Sequence, residues 1–524
     1  MLDDDRILPN ALKAWAASEP DRPFLHEVGG PSATYGGIDD RADRWAAAAL
    51  RWALPAGSTV ATMSTARIEW FAAWMGLARA RLLEASVSTE FHGEMLSYAL
   101  SKADARVLLI TADLIDKLSP EILAAVKLEQ IVVLDGHPPD SFQPEGMNVT
   151  TADTILSDAH PSPTENVHVE ESAVLILTSG TTGPSKYVTT PWGLLYSGSL
   201  SMGPPDIIRA NDVSYQPLPT SHISLRCSLH ALALAGGQVV FRDRFSVRDF
   251  WHDINRYSCT NATVAAFAKL LMDQPERPDD RKSSLKTVVA LPRQSAAFCD
   301  RFGVDAYGGY GLSEIGIPII ADFKACPEAV GRVRSGYPDL EIRIVDEQDR
   351  DVASGDLGEL IVRSPEPGSL FSGYHNDSHA TVAAWAGGWF HTGDLFRRDE
   401  NGFLYFLDRR KDAIRRRNQN ISSFEVEALI GKYPHVADCA AVSVPAPGEE
   451  DDLLIAVVPT DGFSFEALHD FATATMPRFM IPQYIRTVDA LPKTQAMART
   501  MKFQLRQEGV TKDTWEAPRL SRAK

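Results

Sequence analysis

The densest set of residues able to do chemistry lies in AVLILTSGTTGPSKYV, residues 173–188. An apolar, strand-like run enters Thr178, Ser179, Gly180, Thr181, Thr182 and Gly183, and Pro184 and Ser185 then lead to Lys186. Two glycines let backbone amides turn toward an anion with no Cβ in the way. Four hydroxyls add donors and the lysine adds positive charge, so the loop can wrap a polyphosphate. The spacing GxxxxGK[ST] is absent, so this is not a Walker A loop. A plain surface turn rich in Ser and Thr would require neither the lysine nor the VLIL run before it. Farther along, Glu314 and Asp394 offer acceptor-only carboxylates, Tyr310 a flat aromatic face and Arg409 a permanently charged planar fork. Each of these four, taken alone, reads equally well as a core or surface residue.

Strand-like and helical patterns alternate before and after this loop. STVATM is followed by the amphipathic-looking stretch IEWFAAWMGLARARLLEA, then by EMLSYALSK, ARVLLIT, ILAAVKL and QIVVLDG. Such alternation predicts doubly wound α/β sheets with helices on their faces. Pro- and Gly-rich breaks at 135–146, 158–166 and 275–280 read as surface loops. Past about residue 340 short strands with tight turns (LEIRIVDE, GELIVRS, GFLYFLD) predict a small antiparallel-rich subdomain. Beyond 411, SSFEVEALIGKY carries a capping box, Ser422 with Glu425, and the strands CAAVSVPA and LLIAVVPT complete a small α+β domain. The run RRKDAIRRR (409–417) marks the change of texture, which predicts a large body over 1–408 and a mobile domain over 412–524.

Composition excludes several classes. With 52 Lys and Arg against 69 Asp and Glu the formal charge of the 524-residue chain is −17, so no basic face for nucleic acid or an anionic membrane is expected. Five scattered cysteines without a CxxC pair fit a reducing, cytoplasmic setting and give neither a disulfide framework nor a zinc cluster. The start MLDDDRILPN lacks a secretory h-region, and no apolar run reaches the ~18 residues of a membrane span.

TSGTTGPSK resembles the phosphate loop of the acyl-adenylate-forming superfamily of acyl-CoA ligases, adenylation domains and beetle luciferases. Gly309, Tyr310, Gly311, Leu312, Ser313 and Glu314 resemble the family's YGxTE element and the glycine before it, and Gly358 through Tyr374 its GEL…GY element. WFHTGD (389–394) resembles GWFxTGD, and FLDRRKDAIRRRNQNISSFEVEAL (406–429) resembles the hinge and the start of the C-terminal domain. Order and spacing agree over roughly residues 30 to 506, and the texture is nearest to carnitine/crotonobetaine-type CoA ligases. The resemblance implies ATP at Thr178–Gly183, Lys186, Gly309–Gly311, Ser313, Asp394 and Arg409, with Tyr310 against the adenine and Asp394 on the ribose. It implies Mg²⁺ on Glu314, a hinge at Lys411, CoA as co-substrate and small-molecule partners only. In PLPTSH (217–222) His222 matches the histidine that gates the acyl pocket, and Arg226, one turn on, is expected either to meet a second substrate anion or to lie exposed. The chain ends soon after 506, so no carrier domain is expected.

Three positions depart from the pattern. Tyr187 replaces the glycine after the loop lysine, and Asn418 replaces the hinge-region glycine. LPKTQAMARTMKFQLR places Arg499 where the family's catalytic lysine belongs, with Lys502 or Lys493 as substitutes. An arginine fork does not replace an ammonium conservatively. The leading expectation is an AMP-forming ligase for a small or aromatic carboxylate with CoA as acceptor. The alternatives are an ATP-dependent diazotase that activates nitrite and transfers it to an aromatic amine without CoA, and a nucleotide-binding homologue without turnover.

Overall fold

Runs of β-branched and aliphatic residues buried on both faces build two mostly parallel sheets, the arrangement such runs require. In the computed structural model the first has the order Gly373–Tyr374, Lys186–Pro191, Ser172–Thr178, Leu83–Ser86, Thr59–Met63, Val107–Ile110, Gln130–Val133 and Asn148–Thr151, antiparallel only at its first two pairings. The second has the order Asp305–Tyr307, Thr287–Val289, Asn261–Thr263, Val213–Gln216, Gln238–Phe241, Pro23–Glu27 and Ser32–Thr34. The structure describes residues 2–518 except 161–165, 179–184, 205, 266, 291, 322–325, 327, 335–339, 410–413, 417–418, 422, 446–450, 478–479 and 494–499. Ser179, Gly180, Thr181, Thr182, Gly183, Lys411, Asn418, Ser422 and Arg499 therefore lie outside the described residues.

The stretch expected to be one amphipathic helix divides. The helix Ile68–Arg79 ends, Arg81 takes φ +58°, and Leu83–Ser86 is a strand. Trp70 through Arg79 are buried all round, because this helix packs against a strand of each sheet. Its Trp70 and Trp74 stack at 5.9 Å, and Trp74 stacks on Trp192 at 5.3 Å.

The expected antiparallel texture after residue 340 is present as a four-stranded sheet in the order Glu341–Val345, Gly358–Arg363, Phe390–Arg398, Leu404–Arg409. The C-terminal strands Val436–Pro445, Asp451–Pro459, Tyr484–Thr487 and Trp515–Glu516 form one sheet with an apolar cluster on each face. The chain groups into two compact units, 1–342 with 362–390, and 343–361 with 391–524, so the antiparallel sheet groups largely with the C-terminal residues. Among the described residues no helix is long and apolar enough to cross a membrane, and no cluster of metal-ligating side chains occurs.

Candidate active site

Thr178 ends one strand and Lys186 begins the next, and the two residues stand in direct antiparallel register. The Thr178 hydroxyl donates to the Lys186 carbonyl at 3.3 Å and closes the neck of the loop. Lys186 Nζ lies 5.0 Å from the ring centre of Tyr374, a residue of the strand paired to the same hairpin. The Tyr374 phenol in turn donates to Glu314 Oε1 at 3.0 Å. Desolvation first, and the Glu314 carboxylate second, hold the Tyr374 hydroxyl well above its ordinary pKa, so it stays a donor. A lysine, a tyrosine and a carboxylate thus stand in one line beside the loop neck. Tyr374 was not singled out from sequence, where only its place in the GY element marked it.

Gly309 and Gly311 have a reason that needs no ligand. They belong to the strand Gly309–Leu312, which pairs with Gly316–Ile320 so closely that a Cβ at Gly309 would meet the Ile319 carbonyl at 1.9 Å. Tyr310, part-buried, lies on this hairpin, and Ser313 and Glu314 sit in its turn. The Glu314 carbonyl is fixed by the Phe371 N–H at 2.9 Å.

In the other unit Asp394 and Arg409 are cross-strand partners, with Arg409 Nε 3.4 Å from the buried Asp394 Oδ1. The turn before Asp394 is pinned by Glu359, which accepts from the Gly393 N–H at 2.9 Å, and by Thr392, which donates to Leu360. Asp408 accepts from the Ser423 N–H at 2.6 Å at the start of the helix Ser423–Ile430. Both spare lysines are held by carboxylates. Lys502 lies 2.8 Å from Glu427 and also bonds Ser423, and Lys493 lies 2.5 Å from Asp438.

His222 caps the helix Ile223–Ala235, its Nδ1 accepting from the Ser224 N–H at 3.2 Å. Burial pushes its imidazole down to about 4, as it does that of His230 on the same helix. Because these folded values lie below the ordinary 6.5, the unfolded chain binds protons more readily as pH falls through that window. The stability that depends on these two neutral rings is therefore full above about pH 6.5 and lost progressively toward pH 4. His222→Asn keeps a capping acceptor and removes one titrating ring. Its melting midpoint should fall less steeply over that window than that of the unsubstituted protein, as read by thermal unfolding at stepped pH.

Arg226 corrects both readings made of it, for it neither lies exposed nor waits for a substrate anion. It is fully buried and forks onto Glu84, with Nη2 at 2.9 Å from Oε1 and Nη1 on Oε2. Trp74 and Trp70 cover its face at 4.2 and 4.8 Å, and Thr62 and the Trp70 indole donate to the same carboxylate. Arg226 also donates to the Thr220 carbonyl, and the Thr220 hydroxyl to Ser64, so the 217–222 turn is tied down on two sides. A glutamate inside the apolar run LLEAS was the sequence signal for this pair, because a buried carboxylate demands a partner. Glu84→Ala leaves a buried guanidinium uncompensated and should cost about 3–5 kcal/mol in denaturant unfolding. Replacing Glu84 and Arg226 together by Met should restore most of that loss.

The Val213–Gln216 strand has neighbours reached by crossovers in opposite directions, Gln238–Phe241 on one side and Asn261–Thr263 on the other. In open α/β sheets such a reversal is where ligands bind, outside the carboxyl ends of the strands. The 217–222 turn begins there.

This fold, with Lys186, Tyr374 and Glu314 brought together, agrees with sequence comparison: the family model for AMP-binding enzymes matches residues 12–375, and that for the AMP-binding enzyme C-terminal domain matches 425–497. The chain belongs to the AMP-binding enzyme family. Among curated relatives, the crotonobetaine/carnitine–CoA ligase of Proteus mirabilis is 29% identical over 451 residues, 81% of this chain and 84% of that one. The Citrobacter koseri enzyme of the same name is 28% identical over 88% of this chain and 90% of its own. Among solved structures, ATP-bound MatB from Rhodopseudomonas palustris superposes with a TM-score of 0.82 at 21% identity, over 95% of this chain and 98% of that one. The o-succinylbenzoate CoA synthetase of Bacillus subtilis, in complex with ATP and magnesium, gives 0.79 at 22% identity over 95% and 99%.

Proposed function

We propose that this chain activates a small or aromatic carboxylic acid with ATP, giving an acyl adenylate and pyrophosphate, and passes the acyl group to coenzyme A. The observation that carries the reading is the line of Lys186, Tyr374 and Glu314 beside the neck of the phosphate-binding hairpin. Support also comes from the curated relatives, which are named as CoA ligases, and from the solved structures that hold ATP. In this reading the 178–183 loop and Lys186 hold the phosphates, Tyr310 faces the adenine, and Asp394 and Arg409 take the ribose and phosphate oxygens.

Glu314 has the hard oxygen donor that Mg²⁺ requires, and its carboxylate is oriented by the Tyr374 phenol. The ion, when bound, supplies charge neutralisation on the phosphates. A substrate carboxylate oxygen attacks the α-phosphorus, the bond to pyrophosphate breaks, and the CoA sulfur then attacks the acyl carbon to release AMP. In this reading Arg499 supplies the cation for the first attack.

Residues 412–524 are proposed to turn as a unit about Lys411 between the two half-reactions, over a body of residues 1–408. Lys411→Pro, which fixes φ at the hinge, should slow thioester formation by about tenfold or more while leaving pyrophosphate exchange within severalfold. Equal slowing of both halves would remove the hinge from the account.

The function itself is tested by pyrophosphate exchange over a panel of carboxylates and nitrite, with and without CoA. Carboxylate-dependent exchange and a CoA thioester are expected. Exchange with nitrite, consumption of an aromatic amine and indifference to CoA would replace the reading by the diazotase one, and no exchange at all would leave a binding homologue.

A further inference from the structure

Strands covered on both faces are ordinarily apolar, yet one face of the second sheet carries a buried polar group of residues at its middle strands. Tyr215, Ala262 and Val288 point to an apolar cluster, whereas Ser214, Gln216, Asn261, Thr263 and Thr287 share the opposite face by strand alternation. Four of these five, Ser214, Gln216, Asn261 and Thr263, are at most 2% exposed. They form a directed chain. Asn261 donates from Nδ2 to Thr287 at 3.0 Å and to the Tyr307 hydroxyl at 2.8 Å, and Tyr307 donates to the Met202 carbonyl at 3.0 Å. That leaves Asn261 Oδ1 as the acceptor of the Ser214 hydroxyl at 2.7 Å. Ser214, its proton spent, can only accept, so the group bonded to it at 2.9 Å must be the amide nitrogen of Gln216.

The orientation of the Gln216 carboxamide is thereby fixed, and its Oε1 is a buried acceptor with no partner among the described residues. Thr263 Oγ1, on the adjoining strand end one step beyond the Tyr215–Ala262 pair, is likewise buried without a partner. Both stand at the carboxyl ends of their strands, Val213–Gln216 and Asn261–Thr263, where the strand order reverses. An unmet buried polar atom is costly, and two at neighbouring register positions on one sheet face call for a further polar group.

We propose that Gln216 and Thr263 form a specificity subsite for the acid, one that selects a carboxylic acid bearing an uncharged hydrogen-bond donor, a hydroxyl or an amino group, at its far end. The inference rests on the ligase reading above and adds the substrate class to it. Gln216 Oε1 demands a donor, and Thr263 can accept from or donate to the same group. A second carboxylate at that place would face an acceptor and be disfavoured, in keeping with Arg226 being already neutralised by Glu84.

The experiment is pyrophosphate exchange by the full chain on matched pairs: benzoate against para-hydroxybenzoate and para-aminobenzoate, butyrate against its terminal hydroxy analogue, and succinate. The unsubstituted enzyme should prefer the donor-bearing member of at least one pair by about 10²-fold in kcat/KM. The isosteric Thr263→Val, and independently Gln216→Met, should reduce that preference to about tenfold or less while KM for ATP stays within twofold. A fixed, buried water at the two atoms would instead leave the preference unchanged in both variants, and that result overturns the subsite, as does the absence of any preference in the unsubstituted enzyme. Exchange with no acid of any kind, in protein that still binds ATP, overturns the ligase reading and the subsite with it.

Discussion

Glu314→Gln lowers acid-dependent pyrophosphate exchange by about 10³-fold with little change in the melting midpoint. The substitution keeps the shape of the side chain and an oxygen for the Tyr374 phenol, which bonds it at 3.0 Å, but removes the negative charge that a magnesium ion on ATP requires. Tyr374→Phe removes only the orienting bond and should cost about tenfold. Raising the magnesium concentration should recover part of the Tyr374→Phe loss and little of the Glu314→Gln loss. If Glu314→Gln were as mild as Tyr374→Phe, the carboxylate would be a packing element of the hairpin turn and the metal assignment would fall.

Arg499→Ala lowers the adenylation rate by about 10²–10³, the usual effect of deleting a charge that stabilises a developing transition state. The expectation follows from elimination as well as from alignment. Lys502 and Lys493, the lysines of that segment, are engaged by Glu427 and Asp438, so neither offers an uncommitted ammonium. Arg499→Lys should retain more activity than Arg499→Ala, as it restores the residue type that the family carries there. Thioester formation from adenylate supplied directly should be much less affected, because the attack on phosphorus is then already complete. An Arg499→Ala enzyme with unimpaired exchange would shift the role to another cation.

What sequence could and could not reveal divides along physical lines. The two sheets, the antiparallel strands after 340 and the C-terminal sheet were legible because alternation and β-branched runs such as STVATM and VLIL report burial directly. The split of 68–86 into helix and strand was not, because a helix buried all round and a buried strand present the same unbroken apolar run, and only the positive φ at Arg81 separates them. Glu314, Asp394 and Arg409 were singled out through motif register, since composition gives isolated carboxylates no distinguishing mark. Arg226 was misjudged because its partner Glu84 is 142 residues away, a separation no local pattern spans. The Gln216–Thr263 subsite was invisible for the same reason, as its meaning lies in a hydrogen-bond chain crossing four strands.

The central claim is that a carboxylate oxygen attacks the α-phosphorus of ATP. It is tested most directly by a turnover in which the acid that supports exchange carries heavy oxygen in both carboxylate positions. The account predicts one labelled oxygen in the AMP released, pyrophosphate as the other nucleotide fragment, and one labelled oxygen retained in the CoA thioester. Unlabelled AMP, or ADP and phosphate in its place, would contradict it.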